Sequence, residues 1–214
     1  MTLPASRKLL WPLLLFSALA VAACWPLLTN LHNLGFHDDW DQHFLYLAVP
    51  IDTVSRYFEW PSWNPYEFGG NPLFGHPENR FLSPFTPLYF ALGPVIAVKL
   101  EFAGHLLIAM LGTFALARHF KLTRPSSILA ASVFALGQSH LVQFREGHAW
   151  FMAFAYLPLA VLFFLRSLAS PRNIPMVAAA LALMVFEGGI YSAPLTLLAL
   201  GFLLALASAA ARRS

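Results

Sequence analysis

The sequence predicts an all-α, polytopic integral membrane protein with about six transmembrane helices and a large first outer loop. Hydrophobic residues make up 58% of the 214 residues and charged residues 11%, whereas soluble domains are about 25% charged. The apolar residues fall in runs of about 20, which at 1.5 Å per residue match a ~30 Å hydrocarbon core. The basic residues stand in short clusters at the ends of these runs, so a nucleic-acid partner is not expected.

We expect one transmembrane domain over residues 1–214, with a first span over 9–28 and an outer loop over 29–82. The remaining membrane helices occupy 83–211. They comprise a short interfacial or re-entrant helix at 83–92 and spans at 95–118, 125–141, 148–168 and, in two parts, 174–211. Gly93-Pro94 and Glu187-Gly188-Gly189 mark the breaks, because proline and glycine interrupt helices.

The first apolar run has an alternative interpretation as a cleaved signal peptide. Val21-Ala22-Ala23-Cys24 resembles a lipobox, and the preceding charged and apolar regions suit one. A retained helix is simpler, because the rest of the chain is also membrane-embedded. Cys24 is the one cysteine, so neither a disulfide framework nor a thiolate metal site is expected.

Charge asymmetry predicts the orientation. With the N-terminus inside, nine of the 13 Lys and Arg residues lie at inner ends, and all 10 Asp and Glu residues lie on the outer side or in the outer half. The four outer basic residues are Arg56, Arg80, Lys99 and Arg145. Every loop then obeys the positive-inside rule, both termini are cytoplasmic, and residues 29–82 lie outside.

The outer loop opens with the acidic motif His37-Asp38-Asp39-Trp40-Asp41. From Trp40 onward, apolar residues recur at spacings of three and four up to Phe58, which predicts an amphipathic helix on the outer surface, kinked or divided at Pro50. Carboxylates at its start complement the helix dipole. Because one cap needs one side chain, three clustered carboxylates indicate more than capping.

The second half of the loop is irregular and aromatic. It contains Trp63-Asn64-Pro65-Tyr66 and, shortly after, Phe68-Gly69-Gly70-Asn71-Pro72-Leu73. The aromatic residues are typical of an interfacial belt or of a groove for a sugar or lipid head group. These blocks, with Ser83-Pro84 and Gly147-His148, resemble the bacterial YfhO-like membrane proteins of the GT-C superfamily of glycosyltransferases. The resemblance runs from about residue 9 to residue 200.

The resemblance implies transfer of a sugar from a polyprenyl-phosphate donor at the outer face of the bacterial inner membrane. It implies an aspartate of the first outer loop as catalytic base, which maps to Asp38 or Asp41, with Asp39 in the same motif. A carboxylate near the acceptor hydroxyl can take its proton, and the donor phosphate needs a cation. The expected substrate-binding residues are Arg80, Arg145, His148, Trp63, Asn64, Tyr66 and Glu187.

A divalent cation, Mg²⁺ or Mn²⁺, is a further expectation, held by His37, Asp38 and Asp39, although Asp pairs are also common helix caps. YfhO-like proteins are usually much longer, so the chain is expected to be truncated or one part of a split enzyme. The alternative function is a non-catalytic membrane subunit or lipid-binding scaffold, working with a second membrane subunit. A third is a small transporter that depends on the intramembrane residues Lys99, Glu101 and His105.

Overall fold

The computed structural model describes residues 5–33 and 38–212, and the regular secondary structure of this part of the chain is helical apart from one two-stranded hairpin. The all-α prediction is therefore confirmed. The helices are α1 (Ala5–Ala23), α2 (Trp25–Leu28), α3 (Trp40–Asp52), α4 (Thr86–Leu92), α5 (Pro94–His119), α6 (Arg124–Leu136), α7 (Gln138–Arg145), α8 (Leu157–Ala169), α9 (Ile174–Phe186) and α10 (Ser192–Ala211). Two 3₁₀ segments, Ala149–Tyr156 and Pro171–Asn173, precede α8 and α9. The strands β1 (Trp63–Asn64) and β2 (Asn71–Pro72) are antiparallel.

In the described residues, four helical stretches are long and apolar enough to cross a membrane. They are Pro94–His119, Arg124–Arg145, Ala149–Ala169 and Ser192–Ala211. Two shorter apolar helices, Leu10–Ala23 and Pro171–Phe186, correspond to the first and fifth predicted spans. The predicted breaks are also present, because Gly93 (φ +75°) separates α4 from α5 and Gly188 (φ +66°) lies in the turn after α9.

The central helix is α5, which packs against α1, α4, α6, α8 and the 3₁₀ segment Ala149–Tyr156. Small residues permit this close approach: a Cβ on Gly112 would lie 3.0 Å from Cγ of Leu159 in α8. Phe102 of α5 stacks on Phe144 of α7 with ring centroids 3.9 Å apart. Small residues and van der Waals packing of this kind are what hold helices together in lipid.

Lys99 links the end of the first helical segment to α5. Its buried ammonium donates to the main-chain carbonyls of Asn30, Leu31 and Asn33, the second at 3.2 Å. Carbonyls just beyond a helix C-terminus lack helical partners, and a cation satisfies them. The charge of Lys99 therefore has a structural use in this protein.

The predicted amphipathic helix of the outer loop is present as α3. The helix runs through Pro50 to Asp52 and then widens into a π-helical turn, Thr53–Tyr57, which ends at Phe58 (φ +56°). The predicted apolar face is only partly correct: Trp40 and Leu47 are buried, Phe58 is 90% exposed, and the other buried residues are His43, Tyr46, Val49 and Pro50. The reason is that α3 is covered on two sides, by α4 and α5 and by Leu73 beside the hairpin.

Candidate functional site

The acidic motif docks on the turn after α7, more than a hundred residues away in sequence. The Asp39 main-chain N–H donates to the Glu146 carbonyl at 3.2 Å, and the Trp40 indole donates to the Phe144 carbonyl at 2.8 Å. Gly147 has φ +91°, and a Cβ there would lie 2.5 Å from the main-chain nitrogen of Trp40. Only glycine fits this contact, so the two loops meet through their main chains.

Asp39 and His148, both predicted as site residues, meet at this contact. A carboxylate oxygen of Asp39 is 3.2 Å from Nε2 of His148. Asp39 occupies the N-cap position of α3, yet its side chain makes no capping hydrogen bond. The other ring nitrogen of His148 contacts Oε1 of Gln143, and the ring stacks on Trp150 with centroids 5.5 Å apart. Capping therefore does not account for Asp39. Its carboxylate contacts His148 instead, and Gln143 and Trp150 hold the ring of His148 in place.

Asp38 and Asp41 have different surroundings from Asp39. Both are exposed. Asp38 has a left-handed backbone (φ +62°), and Asp41 lies in the first turn of α3. Neither forms an ion pair with another residue of the described chain. Asp39 is exposed as well, so the motif holds three exposed carboxylates, of which only Asp39 is paired with a histidine. His37 lies outside the described residues.

Arg145 is exposed in the last turn of α7, directly before the docked turn. Within residues 38–212 it has no ion-pair partner. An open cleft of about 320 Å³ lies between α6, the start of α7 and the segment Ala149–Tyr156. It is lined by Val133, Phe134, Gly137, Ser139, His140, Phe151 and Phe154. An apolar cleft therefore adjoins α7, which carries Arg145, and the segment Ala149–Tyr156, which follows His148.

A second cluster is buried beneath α3. Arg80 donates to a Glu101 carboxylate oxygen at 3.0 Å and to the Tyr89 hydroxyl at 3.1 Å, and Tyr89 donates to the same Glu101 oxygen. Burial alone would lower the pKa of Arg80, but the Glu101 carboxylate outweighs burial and raises it above its ordinary value. Arg80, expected to bind substrate, is therefore neutralised inside the protein.

Glu187 extends this cluster from the α9–α10 turn. It is fully buried. One carboxylate oxygen accepts from Ser83 Oγ at 2.9 Å, lies 3.5 Å from the Tyr156 hydroxyl and lies 3.6 Å from Nε2 of His105. The sequence identified Glu101 and His105 as intramembrane groups and Glu187 as an expected substrate-binding residue, without joining the three. The hydroxyl partners were missed, because tyrosine and serine near helix ends carry no distinctive sequence signal.

The Trp-Asn-Pro-Tyr block and the Gly-Gly block form one hairpin. Asn64 is buried and donates to Glu67 at 3.1 Å, while its side-chain oxygen accepts from the Tyr66 main-chain N–H at 3.0 Å. The Trp63 ring lies against Gly70, whose φ of +110° and lack of a side chain leave room for it. Asn64 thus stabilises the hairpin, and Trp63 and Tyr66 keep exposed rings on its surface.

His43 lies in α3 and is only 5% exposed. Its Nε2 is 3.9 Å from a Glu78 carboxylate oxygen, which is too far for a hydrogen bond. Burial lowers the pKa of His43 to about 4; the charge of Arg80 adds to this shift, and that of Asp39 opposes it. His43 is therefore neutral at neutral pH.

We expect His43 to make the fold less stable as pH falls from about 6.5 to about 4. The unfolded chain binds a proton on this side chain below about 6.5, whereas the folded chain does so only near 4. The unfolded state then binds more protons throughout this window, which costs up to about 3 kcal/mol of stability. Denaturation of the wild type and of His43→Gln across the window measures the effect. Equal pH slopes for the two proteins would show that His43 does not cause it.

Comparison of the chain with protein-family models, with curated proteins and with solved structures gives no match. The likeness to YfhO-like proteins therefore rests on the motifs themselves. A fold of apolar helices alone does not specify a function, so the geometry and chemistry of the site are what support one.

Proposed function

We propose that this chain is a membrane glycosyltransferase module of the GT-C type, which takes a sugar from a polyprenyl-phosphate donor at the outer face of the bacterial inner membrane. The observation that carries the proposal is the docking of the acidic motif on the Gly147-His148 turn. Two motifs that the resemblance singles out, far apart in sequence, share one surface through the 3.2 Å contact of Asp39 and His148.

The membrane placement is part of the proposal. Six apolar helical stretches, four of them long enough to span a bilayer, support six crossings. The positive-inside distribution supports cytoplasmic termini and an outer position for residues 29–82. The docked loops then face the outside, where Asp38, Asp41 and Arg145 are exposed.

In the proposed reaction, the acceptor hydroxyl attacks the anomeric carbon of the donor sugar. Asp38 or Asp41 takes the hydroxyl proton as the new carbon–oxygen bond forms. The bond from the anomeric carbon to the phosphate oxygen breaks, and its electron pair leaves with the phosphate. Asp39, held by His148, positions the motif, and Arg145 supplies the cation that the departing phosphate needs.

The apolar cleft beside His140 suits the lipid chain of the donor. It opens at Val133, which is 65% exposed on the outside of α6, so an isoprenoid could enter from the bilayer. Asp39 is already engaged by His148, which leaves Asp38 to hold a Mg²⁺ or Mn²⁺ ion together with His37 from outside the described residues; with such an ion bound, Asp41 would be the base. Such an ion would add positive charge at the donor phosphate.

Native mass spectrometry of the detergent-purified chain tests the donor site. We expect binding of polyprenyl-phosphate sugars and of bare polyprenyl phosphate, weakened about tenfold in Arg145→Ala, because a charge-assisted contact to phosphate is lost. Arg166→Ala is the matched control, since Arg166 is also an exposed arginine in the last turn of its helix. If the polyprenyl phosphates bind no more strongly than ordinary phospholipid, this chain does not contain the donor site.

The rival function is a non-catalytic subunit or lipid-binding scaffold that works with a second membrane subunit. The buried Arg80–Glu101 pair is compatible with it, because such a pair holds the outer loop in place without any substrate. The two functions differ in one respect: a scaffold tolerates neutral asparagine at positions 38 and 41, and an enzyme does not.

A further inference from the structure

Three buried side chains converge below the outer loop: Glu101 and His105, one turn apart on α5, and Glu187 from the α9–α10 turn. One nitrogen or oxygen atom of each lies within 4.8 Å of the other two. None of the three side chains is more than 2% exposed. Two carboxylates and an imidazole are thus enclosed in one place, away from the exposed acidic motif.

The tautomer of His105 leaves one ring nitrogen with an open lone pair. Nδ1 lies 2.9 Å from the main-chain carbonyl oxygen of Glu101, and a carbonyl only accepts, so Nδ1 carries the hydrogen. Nε2 has no hydrogen-bond partner among the described residues, although it is buried. A histidine whose Nδ1–H is held by a carbonyl and whose Nε2 is free has the arrangement of a metal-bound histidine.

The carboxylates also present open oxygens. Oε2 of Glu101 accepts from Arg80 and Tyr89, which orient the group and leave Oε1 with only a 3.4 Å contact to Ser83. Oε1 of Glu187 accepts from Ser83 at 2.9 Å, whereas Oε2 has no partner in the described chain. Each carboxylate is thus held by hydrogen bonds to one of its oxygens. Carboxylates that bind metals are commonly held in this way by neighbouring groups.

Charge and distance point in the same direction. Arg80 compensates one of the two carboxylates, so with a neutral imidazole one negative charge stays uncompensated in a buried site, which is costly. The 3.6 Å between Nε2 of His105 and Oε1 of Glu187 is long for a hydrogen bond. It is close to the separation of about 3.3 Å between two ligands of a tetrahedral ion with bonds of about 2.0 Å.

We propose that Glu101, His105 and Glu187 bind a divalent transition-metal ion, with Zn²⁺ the ion best suited to one nitrogen and two oxygen ligands. The ion would join α5 to the α9–α10 turn and, through Arg80, to the outer loop. This inference does not depend on the proposed glycosyl transfer. The competing occupant is a proton on Nε2 of His105, which would give an ion pair with Glu187.

Metal analysis of the full chain tests the site. The protein is purified without a histidine tag, treated with chelator, exposed to Zn²⁺ and dialysed, and bound zinc is measured by mass spectrometry. We expect about one equivalent in the wild type, and an affinity lower by about tenfold or more in His105→Ala and in Glu187→Gln. His119→Ala is the matched control, because His119 lies at the exposed end of the same helix, and it should bind as the wild type does.

Two results would overturn the site: a wild-type chain that retains far less than one equivalent of Zn²⁺, or His105→Ala binding as tightly as the wild type. If the variants do not fold, X-ray absorption of the Zn²⁺-loaded wild type decides. One imidazole with oxygen ligands is expected, and a shell without imidazole overturns the proposal. If the wild type does not bind Zn²⁺, the site holds the proton on Nε2 of His105 instead.

Discussion

Glu101→Gln is expected to lower the free energy of unfolding by about 3–5 kcal/mol, because it leaves the Arg80 guanidinium buried without its counter-charge. Arg80 is 3% exposed and lies 3.0 Å from the Glu101 carboxylate. Arginine cannot give up its proton to escape the cost. Denaturation in mixed detergent micelles measures the loss, with chelator present throughout so that metal binding does not contribute.

The chain offers a matched control for this pair. Asp52 and Arg56 form an ion pair of 2.6 Å on α3 and its π-helical turn, with the arginine side chain 71% exposed. Asp52→Asn should cost less than about 1 kcal/mol, since water screens exposed pairs. The double variant Arg80→Met with Glu101→Gln should regain part of the loss. Equal small effects of Glu101→Gln and Asp52→Asn would refute the buried pair.

Gly147→Ala is expected to destabilise the protein by about 2–4 kcal/mol and to separate the two loops of the site. Alanine is strained at φ +91°, and its Cβ would meet the main chain of Asp39 and Trp40, which cannot turn aside. Hydrogen exchange should report the separation directly. The Asp39 N–H that bonds to the Glu146 carbonyl should exchange faster in the variant.

Gly201→Ala is the control for this substitution. Gly201 lies within α10, and a Cβ there would meet nothing within 4 Å. Alanine should therefore be neutral or stabilise the helix by up to about 1 kcal/mol. If Gly147→Ala behaved like Gly201→Ala, with unchanged exchange at Asp39, the docking of the acidic motif would be wrong.

The helices could be predicted from sequence because apolar run length and Pro or Gly breaks are local signals. The predicted span 95–118 matches Pro94–His119, and the predicted division of 174–211 matches the turn at Gly188. The third span was predicted to end at 141, but α6 ends at Leu136 and α7 continues to Arg145. Gly137 causes the break, and one glycine in an apolar run is a weak signal.

The candidate site was predictable only in part. The acidic motif and the resemblance identified Asp39 and His148, and the Glu-Gly-Gly turn identified Glu187. Glu101 stood out because a charge within a predicted span is costly in lipid. Their partners were not predictable. Which loop meets which depends on helix packing, and nothing local in the sequence couples residue 39 to residue 148 or Arg80 to Glu101.

The two clusters differ in what they can do. The Arg80–Glu101 cluster is enclosed, which suits a structural role, and the open atoms Nε2 of His105 and Oε2 of Glu187 beside it suit a metal ion. The acidic motif is open to solvent, with three exposed carboxylates, and it docks on the turn that follows Arg145. The proposed chemistry on an external substrate therefore concerns the acidic motif, and the scaffold alternative differs only in that the motif does not catalyse a reaction.

Sugar release from polyprenyl-phosphate donors in proteoliposomes tests the central claim most directly. We predict turnover by the wild type and a loss of about 10²–10⁴-fold in Asp38→Asn or Asp41→Asn, with donor binding retained in Asp41→Asn. Asp52→Asn, an aspartate at the far end of α3, should turn over normally. Full activity in all three variants, or no turnover by a wild type that binds the donor, would contradict catalysis by this motif.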